Sequence, residues 1–241
     1  MTDKTDIEME AQDELAWAFH ANNNPKTNLE NFTKYVSRQD LKRFIVRYEL
    51  FKQIQNVKGS IVECGVFHGF GLMSWYHCST MLEPENFQRK IFGFDTFKGF
   101  IHLDKVDRTD SSQAKIGNFC SDSKDELEHL VRTHDRNRFL GHIEKVELYE
   151  GDAIETIPQF LKDHREVVIA LLFLDFDLFL PTKVALELLV ERMPKGAIIA
   201  FDELNSSRWP GETAALKQVI GIKELQLQQF PWDPNVSFAV L

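Results

Sequence analysis

The chain has 241 residues, 43% of them hydrophobic, and a formal net charge of -9, which gives room for one large α/β domain with an extension and too little for two full cores. The acidic balance argues against a nucleic-acid partner, because affinity for a phosphate backbone comes from Lys and Arg displacing counterions, and it favours a small molecule. Cys64, Cys78 and Cys120 are odd in number, lack C-x-x-C spacing and follow no secretory leader, and no apolar run reaches membrane-spanning length, so a cytoplasmic protein with no membrane partner is expected.

Residues 1–14 read as an acidic, flexible tail, in which Asp3, Asp6, Glu8, Glu10, Asp13 and Glu14 face only Lys4. Residues 15–58 read as an N-terminal helical extension that packs on the main domain or on a partner subunit. Its second half is the clearer, since Ser37 can cap a run with Leu41, Phe44, Ile45, Tyr48 and Phe51 at helical spacing. Over 59–241 strands and helices alternate: strands at 60–66, 90–96, 145–150, 167–176 and 197–203, with helices at about 70–82, 123–134, 153–164, 181–193 and 211–221. LQLQQF and SFAVL, parted by Pro231 to Asn235, add two final strands. The pattern predicts an α/β fold, a doubly wound, mostly parallel seven-stranded sheet of Rossmann-like type. Residues 98–121 have no period and exceed an ordinary loop, which leaves a substrate lid and a disordered insertion both open.

Five apolar runs end in carboxylates: Glu63, Asp95, Asp152, the pair Asp175 and Asp177, and the pair Asp202 and Glu203. If the runs are parallel strands, all these acids rim the one edge where open α/β sheets bind ligands. The stretch from Glu63 through Cys64, Gly65, Val66 and His68 to Gly69 and Gly71 joins the first strand to the first helix, and its glycines let backbone approach a ligand closely. The dinucleotide spacing G-x-G-x-x-G fails, with Ser74 at the third glycine, and Glu63 would repel a pyrophosphate. Asp95 can accept from both ribose hydroxyls of an adenosine. Asp152, between Gly151 and Ala153, can meet an adenine amino group or cap the next helix.

The segments IVECGVFHGFG, FGFDTFKGF, YEGDAIETIP, LLFLDFDLFLPTKVALELL and GAIIAFDELNSSRWPGETAAL, spread from about Tyr48 to Leu216, resemble the macrocin O-methyltransferase family within the class I S-adenosylmethionine-dependent methyltransferases. The resemblance implies that Glu63, Gly65 and Gly69 surround the methionine part of S-adenosylmethionine, that Asp95 holds its ribose and that Asp152 lies near its adenine. Cys64, Val66, Gly71, Thr96, Gly151 and Ala153 complete the implied cofactor site.

Asp175, Asp202 and Glu203 come from strands that the crossover rule makes neighbours. Clustered carboxylates repel unless a cation binds, and an oxygen-only set suits Mg²⁺ or another hard divalent cation rather than zinc. The resembled family is metal-dependent, with ligands at these three positions. Asp175 is also the candidate general base for an acceptor hydroxyl. Asp177 reads as a further acid or a helix cap, His68 and His142 as bases, acceptor contacts or plain loop residues, and Arg208 and Trp209 as an acceptor wall or a loop fixed by Pro210 and Gly211. Three departures from the family bear on the acceptor: Phe100 and Ile101 replace L-P, Phe179 replaces Tyr, and Glu203 replaces Asp.

The expected function is a Mg²⁺-assisted, S-adenosylmethionine-dependent O-methyltransferase, homo-oligomeric, acting on a hydroxyl of a sugar or a glycosylated small molecule. The rivals are a catechol-like O-methyltransferase and a methyltransferase-fold binding subunit without turnover.

Overall fold

The computed structural model describes residues 5–241. The described chain divides into two compact units, which meet in sequence at Val46 and Arg47. The first holds helices α1 (Asp6–Ala21) and α2 (Pro25–Glu30), a single 3₁₀ turn at Phe32–Lys34 and the start of α3 (Arg38–Ile54). The acidic stretch expected as a tail is, from Asp6 onward, the beginning of α1; the part at residues 1–4 lies outside the described residues. A capping box accounts for the difference. Thr5 Oγ1 accepts the Glu8 N–H at 3.3 Å and Glu8 Oε2 accepts the Thr5 N–H at 3.0 Å, so two orphan donors are satisfied at once. Asp6 and Glu8 in the first turn also favour the helix dipole. Ser37 starts α3 as its sequence suggests, its Oγ accepting the Asp40 N–H at 3.1 Å.

The larger unit begins inside α3, where Leu50, Phe51 and Ile54 are fully buried. It then runs β1 (Ser60–Cys64), α4 (Phe70–Leu82), β2 (Ile91–Asp95), α5 (Lys124–Asp135), β3 (Val146–Glu150), α6 (Ala153–Asp163), β4 (Ile169–Leu174), α7 (Phe179–Leu189), β5 (Ile198–Phe201), α8 (Gly211–Val219), β6 (Gln228–Phe230) and β7 (Asp233–Val240). The sheet order is β3-β2-β1-β4-β5-β7-β6. β1 to β5 are mutually parallel, and β7 runs antiparallel between β5 and β6. Both faces are covered, as the unbroken burial of β1 and β4 requires, with α6, α7 and α8 packed side by side. The last two strands are joined more tightly than the sequence suggests. Phe230 pairs with Asp233, so only Pro231 and Trp232 turn the chain, and Pro234 lies outside the run paired to β5. No helix among the described residues is long and apolar enough to cross a membrane.

Candidate active site

From β1 the sheet grows through β2 to β3 on one side and from β4 to β5 on the other, so its topological switch point lies between β1 and β4. The crevice outside the carboxyl ends of those two strands is where such sheets take ligands. Gly65 leaves β1 there with φ +96°, and a Cβ on it would stand 2.0 Å from the Asp175 carbonyl oxygen. The Asp175 N–H donates to the Cys64 carbonyl at 2.8 Å, closing the two strand ends on each other. Gly71 is required for another reason. A Cβ there would fall 1.7 Å from Glu63 Oε1 and 2.9 Å from Arg47 Nε, in space taken by a buried ion pair. Glu63, expected beside the cofactor, is 1% exposed, and Arg47 lies 3.7 Å away.

Asp95 spends its carboxylate on the glycine loop. Oδ2 accepts the N–H groups of Val66 at 2.8 Å and Phe67 at 2.7 Å, and Oδ1 accepts that of Phe97 at 2.7 Å. Three of its roughly four acceptor sites are therefore filled from the protein's own backbone. Thr96 Oγ1 donates to the Gly99 carbonyl at 2.7 Å. Gly151 donates its N–H to the Asp95 carbonyl at 2.9 Å, which brings the end of β3 beside the end of β2. Asp152 caps α6, Oδ1 accepting the Ile154 N–H at 3.0 Å, while Oδ2 lies 3.4 Å from His102 Nδ1. Cys64, Val66 and Ala153 are buried, and burial pushes the Cys64 thiol well up.

The acids after β4 and β5 share an electrostatic neighbourhood with a fifth acid, Glu212 of α8. Desolvation, then Asp202 and Asp177, push the Asp175 carboxyl well above the usual carboxylate range, and Arg47 at 4.0 Å opposes them. Asp177, at φ 61°, is raised by desolvation, Asp202 and Glu203. Burial, then Asp177 and Asp202, raise Glu212. Its Oε2 accepts the Glu203 N–H at 3.2 Å, and its buried Oε1 has no hydrogen-bond partner among the described residues. The expected convergence of Asp175, Asp202 and Glu203 on one point is not met: no group of three or more His, Cys, Asp or Glu among the described residues is placed to hold a metal ion. Glu203 is buried, while Asp175 and Asp202 stay partly exposed. Asp177 is not the cap of α7. The Phe179 N–H goes instead to Asp107 Oδ1 at 2.9 Å.

Asp107 belongs to the 98–121 stretch, which is ordered and overhangs the carboxyl edge. It is pinned at several strand ends: Asp107 on α7 after β4, the Gln113 N–H on the Arg208 carbonyl after β5, and His102 beside Asp152 after β3. Its two arms pair through Lys98 and Cys120 and through the Phe100 N–H to the Asn118 carbonyl. Between the stretch and the glycine loop runs an aromatic lip. Phe119 lies 5.7 Å from Phe67, 5.4 Å from Phe100 and 5.5 Å from Trp209 between ring centroids. Phe67 and Phe119 are both exposed and both held at positive φ, 51° and 59°, a strain that persists where the surroundings over-determine it and that gathers at binding sites. Trp209 is buried in this lip, and His68 packs its ring 4.2 Å from Phe67.

The family model for macrocin-O-methyltransferase (TylF) matches residues 33–224. The chain belongs to that family. It is an S-adenosylmethionine-dependent O-methyltransferase of class I. Among solved structures it resembles CalS11, calicheamicin methyltransferase, at 31% identity and a TM-score of 0.95, covering 99% of this chain and 94% of that one. The apo structure of CalS11, described as TDP-rhamnose 3'-O-methyltransferase of calicheamicin biosynthesis, matches at 29% identity and a TM-score of 0.86, covering 100% and 96%. The O-methyltransferase NovP shares the fold at 18% identity and a TM-score of 0.65, covering 83% and 79%. No curated protein matches the chain. For this methyltransferase the sequence left four residues of the site unnamed: Arg47, His102, Asp107 and Glu212. Two of them had a signal. Arg47 stands between Phe44 and Phe51 at helical spacing, and Glu212 precedes Ala215 and Leu216 in the same way, each a charge on an apolar stripe.

Proposed function

We propose that this methyltransferase methylates a hydroxyl of a sugar or of a glycosylated small molecule, with a nucleotide-linked deoxysugar as the first acceptor to test. The similarity over nearly the whole chain to a TDP-rhamnose methyltransferase carries the reading. The lip of Phe67, Phe119 and Trp209 supports it, offering ring faces and edges to a flat group joined to the sugar. Arg208 and His68 flank that lip and complete the proposed acceptor contacts. Three free cysteines, two of them buried, suit a reduced cytoplasmic compartment.

S-adenosylmethionine, when bound, supplies an electrophilic methyl group. The turn from Gly65 to Gly69 would hold its methionine part, Gly151 to Ala153 would border its adenine, and Asp95, with three acceptor sites filled, has room for one ribose hydroxyl rather than two. Asp175, at the end of β4, would take the acceptor hydroxyl proton, a role its raised proton affinity favours. The overhanging 98–121 stretch would exclude water from the two held reactants, and most of the rate gain would come from positioning them.

Asp175, Asp202 and Glu203 fit a hard divalent cation by donor chemistry. All three offer oxygen, desolvation raises Asp175 and Glu203, and Asp202 adds to both shifts. They would hold the ion after a side-chain adjustment, and its chemistry there would be to acidify the hydroxyl. The first experiment incubates the enzyme with S-adenosylmethionine and TDP-rhamnose and reads the acceptor by mass. A gain of one methylene supports the proposal, and turnover of catechols but no sugar would sink it. For the cation, Mg²⁺ should raise Tm in the wild type and not in Asp202→Asn; equal responses would remove it from the reading.

A further inference from the structure

Arg47 is the most completely enclosed cation of the larger unit's site region. Its side chain is 2% exposed, and its guanidinium lies 3.7 Å from Glu63 Oε1 on β1 and 4.0 Å from Asp175 Oδ2 at the end of β4. Three rings surround it, with centroids at 4.6 Å for Phe173, 5.5 Å for Phe70 and 5.8 Å for Trp75. Gly71 lacks the Cβ that would stand 2.9 Å from Arg47 Nε. Residues on α3, α4, β1 and β4 are thus all shaped around one charge. Burying it is costly, and its Nε donates to nothing among the described residues, so the arrangement is a poor solution for stability alone. A lysine would carry the charge without the planar face that stacks on three rings.

We infer that Arg47 is a positioning residue for methyl transfer, fixing the orientation of the Asp175 carboxylate against the repulsion of Asp177, Asp202 and Glu212 and tying it to Glu63 beneath the cofactor loop. The inference rests on the proposed role of Asp175. It places the control of that acid on α3, a helix outside the strand that bears it. Asp175 has two possible orientations in such a field: toward Arg47, or away from it into the crevice, where repulsion from the other acids is greatest. The guanidinium biases the choice without a direct hydrogen bond, since neither of its ion-pair distances is that short.

The test compares Glu63→Gln with the double variant R47M/E63Q. The double variant removes the charges of Arg47 and Glu63 together, and Glu63→Gln keeps Arg47 opposite Asp175 at 4.0 Å, so both proteins should fold, which thermal melting verifies. Calorimetry then gives the Kd for S-adenosylmethionine, kinetics give kcat and the acceptor KM, and crystal structures at one pH give the orientation of Asp175. The expected result is a kcat about 100-fold lower in the double variant than in Glu63→Gln, a cofactor Kd within about threefold, and an Asp175 carboxylate turned or spread over two positions. R47K/E63Q should recover about tenfold of the loss. Equal kcat in the two proteins, or an Asp175 fixed in the same orientation in both, would overturn the inference, as would parallel loss of cofactor binding and kcat. If TDP-rhamnose and other sugars prove inert with the wild type, the acceptor reading has failed, and the two crystal structures still decide the role of Arg47.

Discussion

The two edges of the sheet treat charge in opposite ways. At the amino edge, Arg89 is 3% exposed and fully engaged: Glu83 at 2.8 Å, the Gly59 carbonyl at 2.8 Å, and those of Ile54 and Val57 at 3.0 Å. Arg138 likewise binds Asp135 and the Leu140 carbonyl, fastening the chain that leads into β3. Each of these cations closes backbone that has no ladder partner, and burial is offset by pairing. At the carboxyl edge, Asp175, Asp177, Glu203 and Glu212 are all held above their ordinary pKa, and Arg47 opposes the shift at Asp175. The fold therefore settles these charges at the amino edge and leaves them in conflict at the edge that carries the proposed site, which is the placement expected of a site that must bind cations or move protons.

Neutralising an acid at the carboxyl edge should lower activity and raise stability together. Asp175→Asn is expected to cut kcat by about 10²–10⁴-fold, the usual worth of a positioned base, while the melting temperature rises by roughly 2–4 °C, about 1 kcal/mol in a chain of this size. The stability gain follows because a carboxyl whose folded pKa is raised prefers to be neutral in the fold. A lower Tm would mean that the attraction to Arg47 outweighs the repulsion. At the amino edge the two effects should separate. Arg89→Met leaves Glu83 and three carbonyls without their cation and should cost about 3–5 kcal/mol, read as a fall in the urea midpoint, with the cofactor Kd unchanged at a temperature where the variant is folded. A changed Kd would show that the two edges are not independent.

The contrast also explains what could be read from the sequence. Strand ends and their acids were legible because a strand buried on both faces is a continuous apolar run, and the first charge after it marks the edge: Asp95 after IFGF and Asp202 after IIAF are cases. Register along the edge was legible for the same reason. The aim of each side chain was not. Asp95 faces its own loop, Glu63 faces Arg47 and Asp177 leaves the capping of α7 to Asp107, all matters of tertiary contact between segments far apart in the chain. The overhanging stretch lacks a period because its order comes from pins at several strand ends rather than from a repeating pattern. The start of α1, from Asp6 to Glu14, was not legible for a local reason, the reciprocal bonds of Thr5 and Glu8, which outweigh a composition that reads as tail.

The smallest expected effect tests whether the amino edge is as settled as Arg89 suggests. Lys145, just before β3, is 4% exposed and donates to the Asn86 carbonyl at 2.7 Å. Burial lowers its pKa from the ordinary lysine value of 10.5 to about 8, with Glu83 opposing and Arg138 and Arg89 adding to the fall. Since the folded value lies below the unfolded one, the unfolded chain holds more protons between those two values, and this group's contribution to stability rises as pH climbs through that window. Below it the ammonium is retained against its preference, at a cost of about 1–2 kcal/mol once the opposing carboxylate is allowed for. Lys145→Met should therefore be slightly more stable than the wild type at pH 7, and the advantage should shrink as pH rises through the window, read from urea midpoints at a series of pH values. Parallel curves would show a lysine titrating at its ordinary value, paired as fully as Arg89. A narrowing gap would show that even the structural edge carries one strained charge, tolerated because its single hydrogen bond ties the start of β3 to the turn before β2.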